Sequence, residues 1–172
     1  MKNLPFLMTL AVVVLFSACQ SKKAEQANEN VAYELSTLMT EIDQKVEQEV
    51  SVEGIVTHVC KHSGKKCFIT DATGKVSIQI MSGGEIETFD KELVGSRIQV
   101  KGIVKEAQQL SPEDLQAQED KVLAMQTEGT LEEEQCDTER ASIEDMRKWM
   151  KEHNKEVFTI YRIDGLSYEA LD

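Results

Sequence analysis

Two stretches of this chain, Val52-Glu-Gly-Ile-Val56 and Val100-Lys-Gly-Ile-Val104, are nearly the same phrase, and each sets a glycine inside an alternating apolar run. Alternation with period two is the signature of a strand that buries one face. A glycine in the interior of such a strand marks a bulge, a sharp coil or a close backbone approach. The chain therefore needs an architecture in which two long strands bend at matched points.

The other elements arrange themselves around these two. Helical spacing at Leu35, Leu38, Met39, Ile42 and Val46 predicts a short lead-in helix. From Val50 the period changes to two, and a first strand runs to Cys60. Cys67 to Thr70 reads as a second strand, Asp71-Ala-Thr-Gly74 as a turn and Lys75 to Ile80 as a third strand. Gly83-Gly84 breaks the pattern, and Ile86, Phe89 and Leu93 mark a short helix stopped at Gly95. Arg97 to Val104 is the fourth strand. The best fifth strand is late, Val157 to Ile163 with a continuation toward Tyr168. Between the fourth and fifth strands, at about 109–155, lies a helical insertion. Its first helix starts at Ser111-Pro112, with serine as cap and proline at the first helical position, and carries Leu115, Val122 and Met125. Its second is expected from Ser142, with Asp145 three residues on and an apolar stripe of Ile143, Met146, Trp149 and Met150.

Three strands, a helix and a further strand, with glycine kinks in the first and fourth, is the order of the OB-fold, a small Greek-key barrel. The segments FITDATGKVSIQI and FDKELVGSRIQVKGIV resemble the central strands of the OB-fold superfamily that includes anticodon-binding domains. The whole chain, with GIVTHVCKHSGKKCFI, resembles a group of OB-fold lipoproteins from Gram-negative bacteria. The likeness is close over residues 48 to 108 and looser elsewhere. It implies an α+β fold: a five-stranded OB-fold barrel with an α-helical insertion between strands 4 and 5, in a domain spanning 48–172. It supplies no reaction, and nucleic-acid binding would follow from it by fold analogy alone.

The start of the chain reads as an address. Lys2 precedes an apolar run from Leu4 to Phe16, too short for a comfortable membrane span. The run ends in Leu15-Phe-Ser-Ala-Cys19, which resembles the lipobox of a bacterial lipoprotein precursor. That resemblance implies a signal peptide over 1–18, a lipid (palmitate among its acyl chains) on Cys19, and a tether with the lead-in helix over 19–47. Gln20, in place of an aspartate, resembles lipoproteins sorted to the outer membrane, where the domain would face the periplasm.

The chain carries 31 acidic against 19 basic residues, a net charge of −12. That disfavours nucleic acid, which is held by cationic surfaces that neutralise phosphates. Phe68 and Ile80 offer a surface on the second and third strands, but a single aromatic is a poor stacking platform. No Ser-His-Asp arrangement, phosphate loop or HExxH helix is present, so enzymatic activity is not expected. Glu132, Glu133 and Glu134 read as a solvated charge run.

The chemistry that does concentrate lies in His58-Val-Cys-Lys-His-Ser-Gly-Lys-Lys-Cys67. With a two-residue turn at Ser63-Gly64, Cys60 would lie across from Cys67. A bulge at Gly54 would bury Ile55, Thr57 and Val59 and turn His58, Cys60 and His62 outward. Two readings follow. One is a Cys60–Cys67 disulfide stapling the hairpin, which an oxidising compartment favours. The other is a zinc or copper site on His58, Cys60, His62 and Cys67, with Cys136 or His153 able to complete the shell from the insertion. The expected function is a non-enzymatic binding module of the cell envelope, held to the membrane by its lipid. Its ligand would be a metal at the first hairpin or, alternatively, a protein or glycan partner.

Overall fold

The computed structural model describes residues 32–171, so the expected leader, Cys19 and most of the tether lie outside the described residues. In chain order the elements are β1 (Tyr33–Glu34), α1 (Leu35–Glu41), β2 (Glu49–Val59), β3 (Lys66–Thr70), β4 (Ser77–Met81), β5 (Arg97–Leu110), α2 (Pro112–Thr127), α3 (Glu133–Glu152) and β6 (Phe158–Leu171). Strands β2, β3, β4, β6 and β5 follow one another around a sheet, and β5 pairs back onto β2 to close it. Every barrel pairing is antiparallel except β4 with β6. This is the OB-fold topology, and its helical insertion sits between the fourth and fifth barrel strands. β1 adds a short parallel pairing to β2, with Tyr33 opposite Val52.

A side chain would be crowded at Gly54 and would not fit at Gly102. At Gly54 a Cβ would stand 3.0 Å from Ile69 Cβ and from the Thr70 carbonyl oxygen. At Gly102 it would meet the Ile163 methyl and lie 2.6 Å from the Asp164 carbonyl oxygen. Gly102 also falls at a register shift in the β5–β6 ladder. Gly54 does not carry the expected bulge. The register of β2 against β3 slips instead between Val56 and His58, while Gly54 stays in unbroken register with Ile98 of β5. Val52 and Val56 therefore both belong to the core, Ile55 is half-buried outside it, and Thr57 and His58 are exposed in succession.

Inside the barrel Cys67, Ile80, Ile163 and Val104 occupy successive register positions on four strands, and all four are fully buried. Ile80 is thus a core residue rather than part of an outer surface. Leu35, Leu38 and Ile42 of the lead-in segment pack into the same core, so the helix is an integral part of the barrel domain. A second, smaller core of Leu110, Leu115, Ile143 and Met150 joins the helical pair to the ends of β5 and β6. Each fully buried Leu or Ile contributes roughly 1.5–3 kcal/mol over an exposed one.

Two expected elements take other forms. The segment holding Ile86 and Phe89 buries both side chains but forms only a 3-10 turn at Lys91–Leu93, opened by the Asp90 carboxylate accepting from the Glu92 N–H at 3.0 Å. Its backbone donors are committed elsewhere: Glu85 N–H goes to Leu166 O and Phe89 N–H to Gly64 O, both at 2.7 Å. Helix α3 starts at Glu133, well before Ser142. The glutamate run is its first turn, where negative charge complements the helix dipole. Ser111 caps α2 as expected, in a reciprocal capping box with Asp114.

Candidate functional site

The β2–β3 connection is a longer turn than the sequence suggested. Cys60 N–H donates to Lys66 O and Gly64 N–H to Cys60 O, both at 2.9 Å, so Lys61 to Lys65 form the loop. Gly64 adopts φ +64, a left-handed conformation suited to glycine. The neighbouring segment clamps this loop: Phe89 N–H donates to Gly64 O at 2.7 Å and Ser82 N–H to Lys65 O at 2.9 Å.

This geometry separates the four residues expected to share a site. Cys67 pairs with Val59 rather than Cys60 and lies wholly inside the barrel. Cys60, the next residue after Val59, is half-buried at the loop. The extra loop residues shift the pairing by one, and a one-residue shift sends a side chain to the other face. Cys60, Cys67 and Cys136 are all free thiols. His58 is exposed and leans on Phe68, with ring centroids 6.1 Å apart and planes tilted by 58°. His62 is exposed within the loop. Cys136 is buried on α3, its thiol donating to Gln126 Oε1 at 3.1 Å. His153 stacks on Trp149 at 4.4 Å. Among the described residues no group of three or more His, Cys, Asp or Glu side chains converges on a point where a metal ion would sit.

The two hairpin thiols differ sharply in chemistry. The Cys60 thiol is held down to about 7, first by the hydrogen bond from the Ser63 hydroxyl (3.4 Å), then by the backbone N–H groups of Ser63 and His62. Lys66 adds a weaker pull in the same direction. Burial pushes the Cys67 thiol up to about 12. Cys60 is therefore substantially thiolate at neutral pH, the nucleophilic and metal-binding form, while Cys67 is inert.

What the fold does bring together is a row on the outer face of the sheet. His58 pairs with Phe68, Phe68 with Gln79 and Gln79 with Arg162, so one residue from each of β2, β3, β4 and β6 points outward in line. Lys66 and Met81 flank the row on the same face. Phe68, Gln79 and Arg162 are half-exposed. The Gln79 amide N–H approaches Met81 Sδ at 3.1 Å, and Arg162 Nε donates to Asp164 Oδ1 at 2.8 Å. Beside the row, at the tip of the β2–β3 hairpin, stand Lys61 and Lys65 of the loop and Lys66 of β3, all exposed and in no ion pair among the described residues. In a chain of net charge −12 this is a local concentration of free cations.

Of this row the sequence reading singled out only His58 and Phe68. Gln79 was within reach, since a hairpin closing over Asp71–Gly74 sets Phe68 against it. Arg162 was not, because the parallel β4–β6 pairing joins segments separated by the whole insertion.

No family model matches the chain, and no curated protein does. Among solved structures it is similar to a candidate aspartyl-tRNA synthetase from Leishmania major Friedlin, at 20% identity and a TM-score of 0.34 over 51% of this chain. It is also similar to aspartyl tRNA synthetase from Entamoeba histolytica, at 16% identity and a TM-score of 0.40 over 98% of this chain. The chain spans 18% and 28% of the lengths of those two proteins.

Proposed function

We propose that this protein is a non-enzymatic OB-fold binding module that takes an extended anionic ligand across the outer face of β2, β3, β4 and β6. We place it in the cell envelope, anchored through Cys19 in the outer membrane and facing the periplasm, on the strength of the lipobox-like Leu15-Phe-Ser-Ala-Cys19. The observation that carries the binding reading is the in-register row His58–Phe68–Gln79–Arg162, with three uncompensated lysines beside it. OB barrels bind linear polymers on this face and on the loop between its first two strands. The cations supply long-range attraction, and the ring and amide supply contact.

The test is capture of the full chain, kept in mild detergent, on immobilised dextran sulfate. Retention should weaken as salt rises, because exposed charges are screened. A Lys61→Gln, Lys65→Gln, Lys66→Gln variant should elute much earlier. Wild type and variant eluting together would sink the reading.

A second reading, thiol or metal chemistry on the same loop, is favoured by the lowered Cys60 thiol beside Ser63. Zinc or copper would find Cys60 and His62 there without Cys67. Metal content of the wild type against Cys60→Ser decides it.

A further inference from the structure

The ligand class of this face follows from what stands on it and what is missing. Phe68 is the one carbocyclic ring in the outward row, and the imidazole of its neighbour His58 is tilted by 58° against it. The two rings therefore do not form a parallel platform. A single-stranded nucleic acid gains its non-electrostatic affinity by stacking successive bases on successive aromatic faces, about 1–3 kcal/mol for each. One tilted ring gives it a single such contact. Other aromatic side chains stand elsewhere: Phe89 and Tyr168 pack on each other at 5.6 Å, and Trp149, though 37% exposed, sits on the helical pair between His153 and Phe158.

A sugar ring has complementary needs. Its C–H face lies on a single aromatic ring, and the hydroxyls at its rim take amide donors and acceptors. Phe68 offers the first and its register partner Gln79 the second, with the amide oxygen making no protein hydrogen bond among the described residues. Neighbouring strands are about 4.8 Å apart, so Arg162, two strands beyond Phe68, stands roughly 10 Å from it across the sheet. That is a disaccharide-like separation. Arg162, whose Nε is held by Asp164 at 2.8 Å, has its two terminal amino groups left to meet a carboxylate, and Lys61, Lys65 and Lys66 stand beside Phe68 at the tip of the β2–β3 hairpin.

The geometry points to an acidic glycan, a chain of uronic-acid sugars, as the ligand of this face. One ring would stack on Phe68, its hydroxyls on Gln79, with carboxylates toward the lysine loop and Arg162. This inference rests on the binding reading above and narrows it from any polyanion to a carboxylated sugar.

The experiment measures binding of the full chain in mild detergent to three labelled probes at one salt concentration: a galacturonate oligosaccharide, a neutral galactan of the same length and an oligothymidylate of the same charge. The galacturonate is expected to bind about tenfold or more tightly than either of the others. Phe68→Ala and Gln79→Ala should each weaken it several-fold with little change in salt dependence, and Phe68→Tyr, which keeps the ring, should restore it. Oligothymidylate binding as tightly as galacturonate, or Phe68→Tyr failing to differ from Phe68→Ala, would overturn the glycan assignment. Retention on dextran sulfate would then still stand for the binding face itself. Loss of that retention as well would overturn both.

Discussion

Cys67 on β3 faces Val59 on β2, and both side chains lie inside the barrel. This pairing leaves Cys60 alone at the loop, with a hydroxyl from Ser63 on its sulfur. The two cysteines of one hairpin are thereby assigned to opposite roles, one filling volume and one meeting solvent.

Alkylation should read that division directly. Cys60 is expected to react with iodoacetamide at neutral pH, at a rate that climbs through a midpoint of about 7 and levels off above it. Cys67 and Cys136, both buried, should label only on unfolding. Ser63→Ala should move the Cys60 midpoint upward. Rapid labelling of Cys67 in the native protein would contradict the assignment.

Gly102 has no room for a methyl group between Ile163 and the Asp164 carbonyl. Gly102→Ala should cost about 1–3 kcal/mol through overpacking, and its urea midpoint should fall accordingly. Ala at Gly74 meets nothing within 4 Å, although its φ of +71 imposes a backbone penalty. A Gly102→Ala midpoint no lower than that of Gly74→Ala would show that the β5–β6 contact yields easily.

Leu115 is fully buried in the small core that joins the helical pair to the strand ends. Leu115→Ala should destabilise that region by about 2–5 kcal/mol. Amide exchange should then rise in α2 and α3 while β2, β3 and β4 keep their protection. Equal loss of protection throughout would mean that the two cores unfold as one unit.

Asp71 organises the β3–β4 turn: its carboxylate accepts from the Thr73 hydroxyl at 2.6 Å and from the N–H groups of Lys75 and Val76 at 3.0 and 3.1 Å. These bonds, the Thr73 hydroxyl first, hold its carboxyl below the usual aspartate range. A carboxyl whose folded value lies below its unfolded one stabilises the protein fully above the ordinary range, and that contribution is lost as pH falls through the lowered value. Asp71→Asn should therefore lower the melting temperature at neutral pH, with the gap to wild type closing in strong acid. A gap that is constant with pH would show that the charge is immaterial to the turn.

Much of the barrel was legible because its strands repeat with period two and its turns carry Asp, Gly and Ser. The capping box at Ser111 and Asp114 is equally local. The misreadings arise where a distant partner decides. β5 continues to Leu110 only because β6 is there to pair with it. The bulge at Thr57 lies in the ladder with β3, and the interior glycine drew the expected one three residues early. The hairpin cysteines were misjudged through a turn-length error, since counting a two-residue turn at Ser63-Gly64 moves every cross-strand partner by one. Arg162 entered the row through a parallel pairing that leaves no trace in local spacing.

The long β5–β6 ladder also has a kinetic consequence. Its outermost pair, Leu110 with Phe158, joins positions separated by about fifty residues of chain, and closing such a loop in an unstructured chain carries an entropic cost that grows with the logarithm of its length. In the folded chain the α2–α3 pair spans that interval and packs on both strand ends, so helices formed first would lower the cost of closing the ladder. Until residues 158–171 arrive, β4 and β5 each show a bare edge to any passing strand. The last strand of the chain is thus what closes both of those edges.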